Sequence, residues 1–339
     1  MKVILPIEKT PLFLSRYESA ICFSIIQAQA KKAGKDITPW LAGQMANVHH
    51  STSFMWQFDT IKNMNWYADK KLFDKQSFLY DDRMPTWNRS EIIELLLQSL
   101  NRQKYVHTRI NTFYIPDDVS YLSYSRNVEC LIYGFDTEKE TIYYARFFPD
   151  NPLTLCNISF ETMLNAICEK EDHKIMLDIL EFNPEFSFEL NEKALSHDLY
   201  DFLNSTRQFV PMIPNCEIRY GIDSLNQFRV YLTRIGVYQE FIDRKYVTFF
   251  YDFQTITGIR YQYLKESGYL SSEQDSLTAK RLQKLSECFL SDCITFNQTQ
   301  NMELLKQIIK IFDEIIEIDT QLSKIMLEAL KRAIKPEPI

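Results

Sequence analysis

Glycine is nearly missing from this chain, with only 7 in 339 residues. No GxGxxG and no GxxxxGK[ST] occurs, and these are the patterns that let a backbone wrap closely around phosphate. A Rossmann or P-loop nucleotide-binding domain is therefore not expected. CxxC is absent too. The seven cysteines, Cys22, Cys130, Cys156, Cys168, Cys216, Cys288 and Cys293, are odd in number and scattered. That argues against a zinc ribbon and against a disulfide framework. No apolar run approaches the ~20 residues of a membrane helix. The start, Met1-Lys2-Val3-Ile4-Leu5-Pro6, is too short and too soon followed by charge for a secretory signal. Basic stripes are also missing: 38 Lys and Arg stand against 45 Asp and Glu, for a net charge of −7. These absences point to a soluble protein of the reducing cytoplasm. No nucleic-acid or membrane partner, no cofactor and no metal are expected.

Apolar mass is plentiful. Hydrophobic residues make up 45% of the chain, with 24 Phe and 19 Tyr, enough for two cores or one large one. Helical spacing predicts a helix over 18–32, with Ile21, Cys22, Ile25, Ile26 and Ala28 on its buried side, and a short second helix over 37–46. The aromatic-rich stretch 50–85 yields no assignment. Asn88 or Ser90 caps a helix running to about 102, and a strand follows from Tyr105 to Ile115. Val128–Tyr133, the polar turn 136–140 and Thr141–Phe148 read as a β-hairpin, ended by Pro149-Asp150-Asn151-Pro152. A short strand (155–158), a helix (159–169) and a further strand (175–182) complete an α+β domain of residues 1–175 with an antiparallel sheet. From 176 to 339 the period becomes helical, over 192–204, 222–235, 242–267, 276–296 and 301–333. The last of these is a long amphipathic helix suited to a bundle. Such a helical domain also allows a homodimer.

Short motifs along this order carry a resemblance. They are Ser19-Ala20-Ile21-Cys22-Phe23-Ser24, Thr112-Phe113-Tyr114-Ile115-Pro116, Leu131-Ile132-Tyr133-Gly134-Phe135-Asp136, Arg219-Tyr220-Gly221-Ile222-Asp223 and Thr257-Gly258-Ile259-Arg260-Tyr261-Gln262-Tyr263-Leu264. Together they resemble the butirosin-biosynthesis acyltransferase family, whose N-terminal domain is similar to papain-like cysteine peptidases. The resemblance implies a papain-like domain followed by a helical one. It also implies a role in nonribosomal-peptide or polyketide-type biosynthesis, with an acyl or peptidyl carrier protein as partner.

In that family a Cys thiolate attacks a thioester, a His moves the proton and an Asp or Asn orients the His. By position Cys22 matches the nucleophile and is expected in the first turn of its helix. The place of the His falls at Glu129 or Val128 and that of its partner at Arg146, with Glu129 and Arg146 expected to be cross-strand neighbours joined as an ion pair. Such a pair cannot replace an imidazole near neutral pH, so any base must come from elsewhere, with His107 the available residue. The simpler readings stand beside these. Cys22 is a small buried hydrophobe, Glu129 and Arg146 are ordinary strand charges, and His107 is a strand histidine satisfied locally. Asp117-Asp118 reads as a solvated turn, and His49-His50 as part of a polar loop. Two functions follow: a cysteine-dependent acyl- or aminoacyltransferase acting on carrier-protein thioesters, or a catalytically degenerate adaptor that binds a carrier protein, peptide or enzyme.

Overall fold

The computed structural model describes residues 1–13, 17–51, 57–60, 71–81, 89–148, 151–169, 174–206 and 218–334. It is an α+β structure that divides into two compact units. One comprises Met1–Lys35 with Asn65–Phe186, the other Asp36–Met64 with Ser187–Ile339. The expected division between 175 and 176 falls inside a strand, and residues 36–64 belong to the second unit. Most of the aromatic stretch that yielded no assignment lies outside the described residues.

The first unit is organised by the hairpin. Strands β6 (Asn127–Asp136) and β7 (Thr141–Phe148) pair antiparallel. At their turn the Asp136 side chain accepts from the backbone N–H groups of Glu138 and Lys139 at 3.1 and 3.3 Å. This is the local capping that makes Asp a turn residue. β8 (Asn151–Ser159) extends the sheet beyond β7, and β5 (Tyr105–Asn111) lies on the other side of β6. β5 ends sooner than its alternation predicts. The Asn111 side chain accepts from the Phe113 N–H at 3.0 Å and starts a 3-10 turn over Thr112–Tyr114. Beyond β5 come β9 (Lys174–Phe182) and then β4 (Phe73–Asp81), giving the order β4-β9-β5-β6-β7-β8. β1 (Lys2–Ile4) pairs with the far end of β6, and a Cβ at Gly134 would lie 2.6 Å from the Val3 carbonyl oxygen. All these pairings are antiparallel.

Helix α1 (Tyr17–Lys32) contacts β6 and β9. Its residues Ala20–Ile26 are buried throughout. Helices α3 (Arg89–Asn101) and α4 (Phe160–Cys168) contact each other and β5. α4 starts where Ser159 Oγ accepts from the Thr162 N–H at 3.1 Å, an ordinary N-cap.

The second unit combines α2 (Thr38–Ala42) and a small antiparallel sheet of β2 (Val48–Ser51), β3 (Gln57–Thr60) and β10 (Ile218–Tyr220) with a helical bundle. The bundle consists of α5 (Glu192–Asn204), α6 (Gly221–Tyr238), α7 (Arg244–Glu266), α8 (Glu273–Thr299) and α9 (Met302–Ala333). The pair His49-His50, expected in a loop, lies in β2. Phe228 of α6 anchors the bundle core, with ring centroids of Phe250 and Phe312 at 4.3 and 5.0 Å. Gly221 opens α6 at φ 53°, where a Cβ would lie 2.0 Å from the Phe202 carbonyl oxygen.

Candidate functional site

The sheet of the first unit separates the residues that the sequence groups together. Register pairs Cys130, not Glu129, with Arg146. Adjacent residues of a strand project to opposite faces, so Glu129 and Arg146 leave the sheet on opposite sides, and the expected ion pair between them is absent. Arg146 is 1% exposed and its Nη1 lies 2.6 Å from Oδ2 of the fully buried Asp118 side chain. Asp118 also receives Arg126 at 3.2 Å and the Ser120 hydroxyl at 2.7 Å. The Asp117-Asp118 turn is thus not a solvated acidic pair: Asp118 is an interior counter-ion. Burial raises its pKa, but the Ser120 hydrogen bonds and the two arginines outweigh that and hold it below the usual carboxylate range.

On the other face, Glu129 meets His107. Thr108 pairs with Cys130 and Arg109 with Glu129 across β5 and β6, and His107 pairs with Asp178 across β5 and β9. His107, Arg109, Glu129 and Asp178 therefore share one face. His107 Nε2 lies 2.7 Å from Glu129 Oε2, and Nδ1 lies 3.6 Å from Asp178 Oδ2. Each carboxylate has outer partners. Arg109 Nε donates to Glu129 Oε1 at 2.6 Å. The Ser77 hydroxyl donates to Asp178 Oδ1 at 2.6 Å, and Lys75 Nζ lies 2.9 Å from Asp178 Oδ2. The result is a chain of charge across four strands, Lys75–Asp178–His107–Glu129–Arg109. Its centre is enclosed and its ends are exposed: the His107 and Asp178 side chains are 5% and 4% exposed, Lys75 33% and Arg109 55%.

These contacts set the charge states. Burial pulls the His107 pKa down, but Asp178 and Glu129 outweigh it, and the net effect is to raise it. Burial likewise pushes both carboxyls up, and their partners reverse this. Asp178 falls to about 2 through His107, Ser77 and Lys75, and Glu129 falls below its usual range through His107 and Arg109. An imidazolium with N–H groups at both nitrogens suits two flanking carboxylates.

Cys22 is the sixth residue of α1, so it lies in the second turn rather than the expected first, and it is fully buried. Two contacts fix where α1 runs. Gln29 Nε2 donates to the Tyr105 hydroxyl at 2.9 Å, and Lys35 Nζ, just past the helix, donates to the Pro184 carbonyl at 2.5 Å. Tyr105 is on the His107 face of β5, and Pro184 follows the end of β9. The C-terminal end of α1 therefore lies where β5 begins and β9 ends. Cys22 precedes Gln29 by two turns, on the same side of the helix and about 10 Å along it. His107 follows Tyr105 by two residues, about 7 Å along the strand on the same face. Cys22 is thus on the side of α1 that faces the sheet face bearing Tyr105 and His107.

Asp178 was not singled out from the sequence, although a signal exists. It is a lone carboxylate inside the apolar run Ile175-Met176-Leu177-Asp178-Ile179-Leu180, and a charge in a buried strand requires a partner. Among the described residues no cluster of three or more His, Cys, Asp or Glu side chains could hold a metal ion. No described helix is long and apolar enough to cross a membrane. A scan against protein-family models finds no match, and no curated protein matches the sequence.

Proposed function

We propose that this chain is a cysteine-dependent acyl- or aminoacyltransferase acting on carrier-protein thioesters in natural-product assembly, with a papain-like first unit. The observation that carries the reading is His107 held by carboxylates on the sheet face toward which the Cys22 side of α1 is turned. Cys22, His107 and a carboxylate then supply nucleophile, proton carrier and orienting group. Glu129 makes the shorter contact, at Nε2, and orients the ring. The looser 3.6 Å contact leaves Nδ1 to serve the thiol. Arg146, on the opposite face with Asp118, has no part in the chemistry and serves the fold.

The steps balance as follows. The step starts from the neutral form of His107, with its proton on Nε2 toward Glu129: Nδ1 takes the proton of the Cys22 thiol to give a thiolate–imidazolium pair, and the thiolate sulfur attacks the thioester carbonyl carbon. The carrier's pantetheine sulfur leaves and takes the proton from the imidazolium. An acceptor amine then attacks the acyl-Cys22 carbonyl and yields its proton to His107. The carbon–sulfur bond breaks and Cys22 is regenerated. Because Cys22 is fully enclosed, an acyl donor reaches it only when the surrounding core opens.

That enclosure also favours the second reading, an adaptor that binds a carrier protein, peptide or enzyme without turnover. Incubation with an acyl-loaded carrier protein followed by peptide mass spectrometry separates the two. An acyl group on Cys22, lost in Cys22→Ala, supports the transferase. Stable binding of the carrier with Cys22 unmodified overturns it in favour of the adaptor.

A further inference from the structure

We propose that Arg109 is a positioning residue for this site, which fixes the ring of His107 through Glu129 and thereby its charge state. The inference rests on the reading of His107 as the proton carrier, and it adds a residue that touches neither substrate nor imidazole.

Glu129 divides its two oxygens. Oε1 accepts from Arg109 at 2.6 Å, and Oε2 lies 2.7 Å from His107 Nε2. A carboxylate tied at one oxygen by a guanidinium N–H has its plane set, and the second oxygen is then aimed. The strands make this possible. Arg109 is directly opposite Glu129 in the β5–β6 register, and His107 precedes it by two residues on the same face. The arginine is 55% exposed while Glu129 is 11% exposed, so the fixing group stands at the surface and the fixed one inside.

The groups that face His107 can be named from each element around it. Glu129 comes from β6 and Asp178 from β9, with Ser77 and Lys75 of β4 behind Asp178. Arg109 is on β5 itself, and α1, which packs on β6 and β9, carries the buried Cys22 on its sheet-facing side. With His107 neutral, the charges of Lys75, Arg109, Glu129 and Asp178 cancel. A bare field effect of Arg109 therefore opposes protonation of His107, whereas positioning through Glu129 favours it. The two roles predict opposite signs when Arg109 is removed.

The test is an NMR titration of the His107 imidazole in the full chain, its resonances assigned by their loss in His107→Gln. Glu129→Gln defines the fall in the titration midpoint when the carboxylate contact is lost. If Arg109 acts through Glu129, Arg109→Met lowers the midpoint by at least half of that fall. It adds nothing in the Glu129→Gln background, and Arg109→Lys restores part of the loss. A midpoint that rises, stays constant, or shifts equally in both backgrounds overturns the proposal. Far-UV circular dichroism checks that each variant is folded, and the exposed Arg109→Lys supplies a second folded variant should Arg109→Met fail. The titration needs no turnover. Absence of acyl-Cys22 would remove the transferase reading while leaving the link between Arg109 and His107 to stand or fall by itself.

Discussion

Asp319 offers a quantitative test of the bundle. It is fully buried on α9, within a stripe that includes Ile308, Phe312, Ile315, Leu322 and Met326. Its Oδ2 accepts from Gln254 Nε2 of α7 at 3.4 Å, a long contact. Arg260 of α7 is also buried, but its Nε and Nη2 donate to the carbonyls of Ala42 and Gln44 at 2.7 and 2.5 Å. Burial therefore dominates, against weaker help from Gln254, Arg260 and Thr257, and raises the Asp319 pKa from 3.8 to about 6. The folded state keeps this proton up to about pH 6, while the unfolded chain releases it near pH 4. Between these values the folded state binds more protons, so this group's contribution to stability falls as pH rises and is fully lost above pH 6. At 1.36 kcal/mol per pH unit the loss totals about 3 kcal/mol, of which roughly 2 kcal/mol falls between pH 4.5 and 7.5. Asp319→Asn keeps the shape and removes the titration. Its stability relative to the wild type should rise by about 2 kcal/mol from pH 4.5 to 7.5. Urea denaturation at both pH values measures this, with amide exchange in α7 and α9 as the local readout. Taking the difference between variant and wild type cancels the other titrating carboxyls. An equal difference at both pH values would refute the argument that burial controls this carboxyl.

Three further outcomes are expected. Arg146→Met strands the buried Asp118 and should cost about 3 kcal/mol, the low end for a broken buried pair because Arg126 still reaches Asp118; loss near zero in chemical denaturation would contradict the burial of this pair. Glu129→Gln and Arg146→Met, on opposite faces with no shared ion-pair partner among the contacts described, should add to within about 0.5 kcal/mol in a double-mutant cycle, and a larger coupling would count against the strand register. Gly221→Ala places a methyl against the Phe202 carbonyl at positive φ and should cost more than about 2 kcal/mol, checked by thermal unfolding.

Local chemistry was legible in the sequence, and long-range partnership was not. The hairpin at β6 and β7 follows from an apolar run, a polar turn and a second β-rich run. α3 and α9 follow from the spacing of their leucines and isoleucines, and α+β from the change of period along the chain. These depend on neighbours within a turn or a strand, where periodicity is set by backbone geometry. Even His107, Arg109 and Asn111 could be placed on one face of β5 by alternation alone. Tertiary structure decided which residues those faces meet. A one-residue difference in the β6–β7 register sends Glu129 and Arg146 to opposite sides of the sheet, because the side-chain period of a strand is two. Asp178 reaches His107 only because β9, some seventy residues later in the chain, inserts between β5 and β4. Nothing in the local pattern of either strand specifies that pairing. It is selected by how the two apolar faces are covered at once, a property of the whole sheet rather than of any segment.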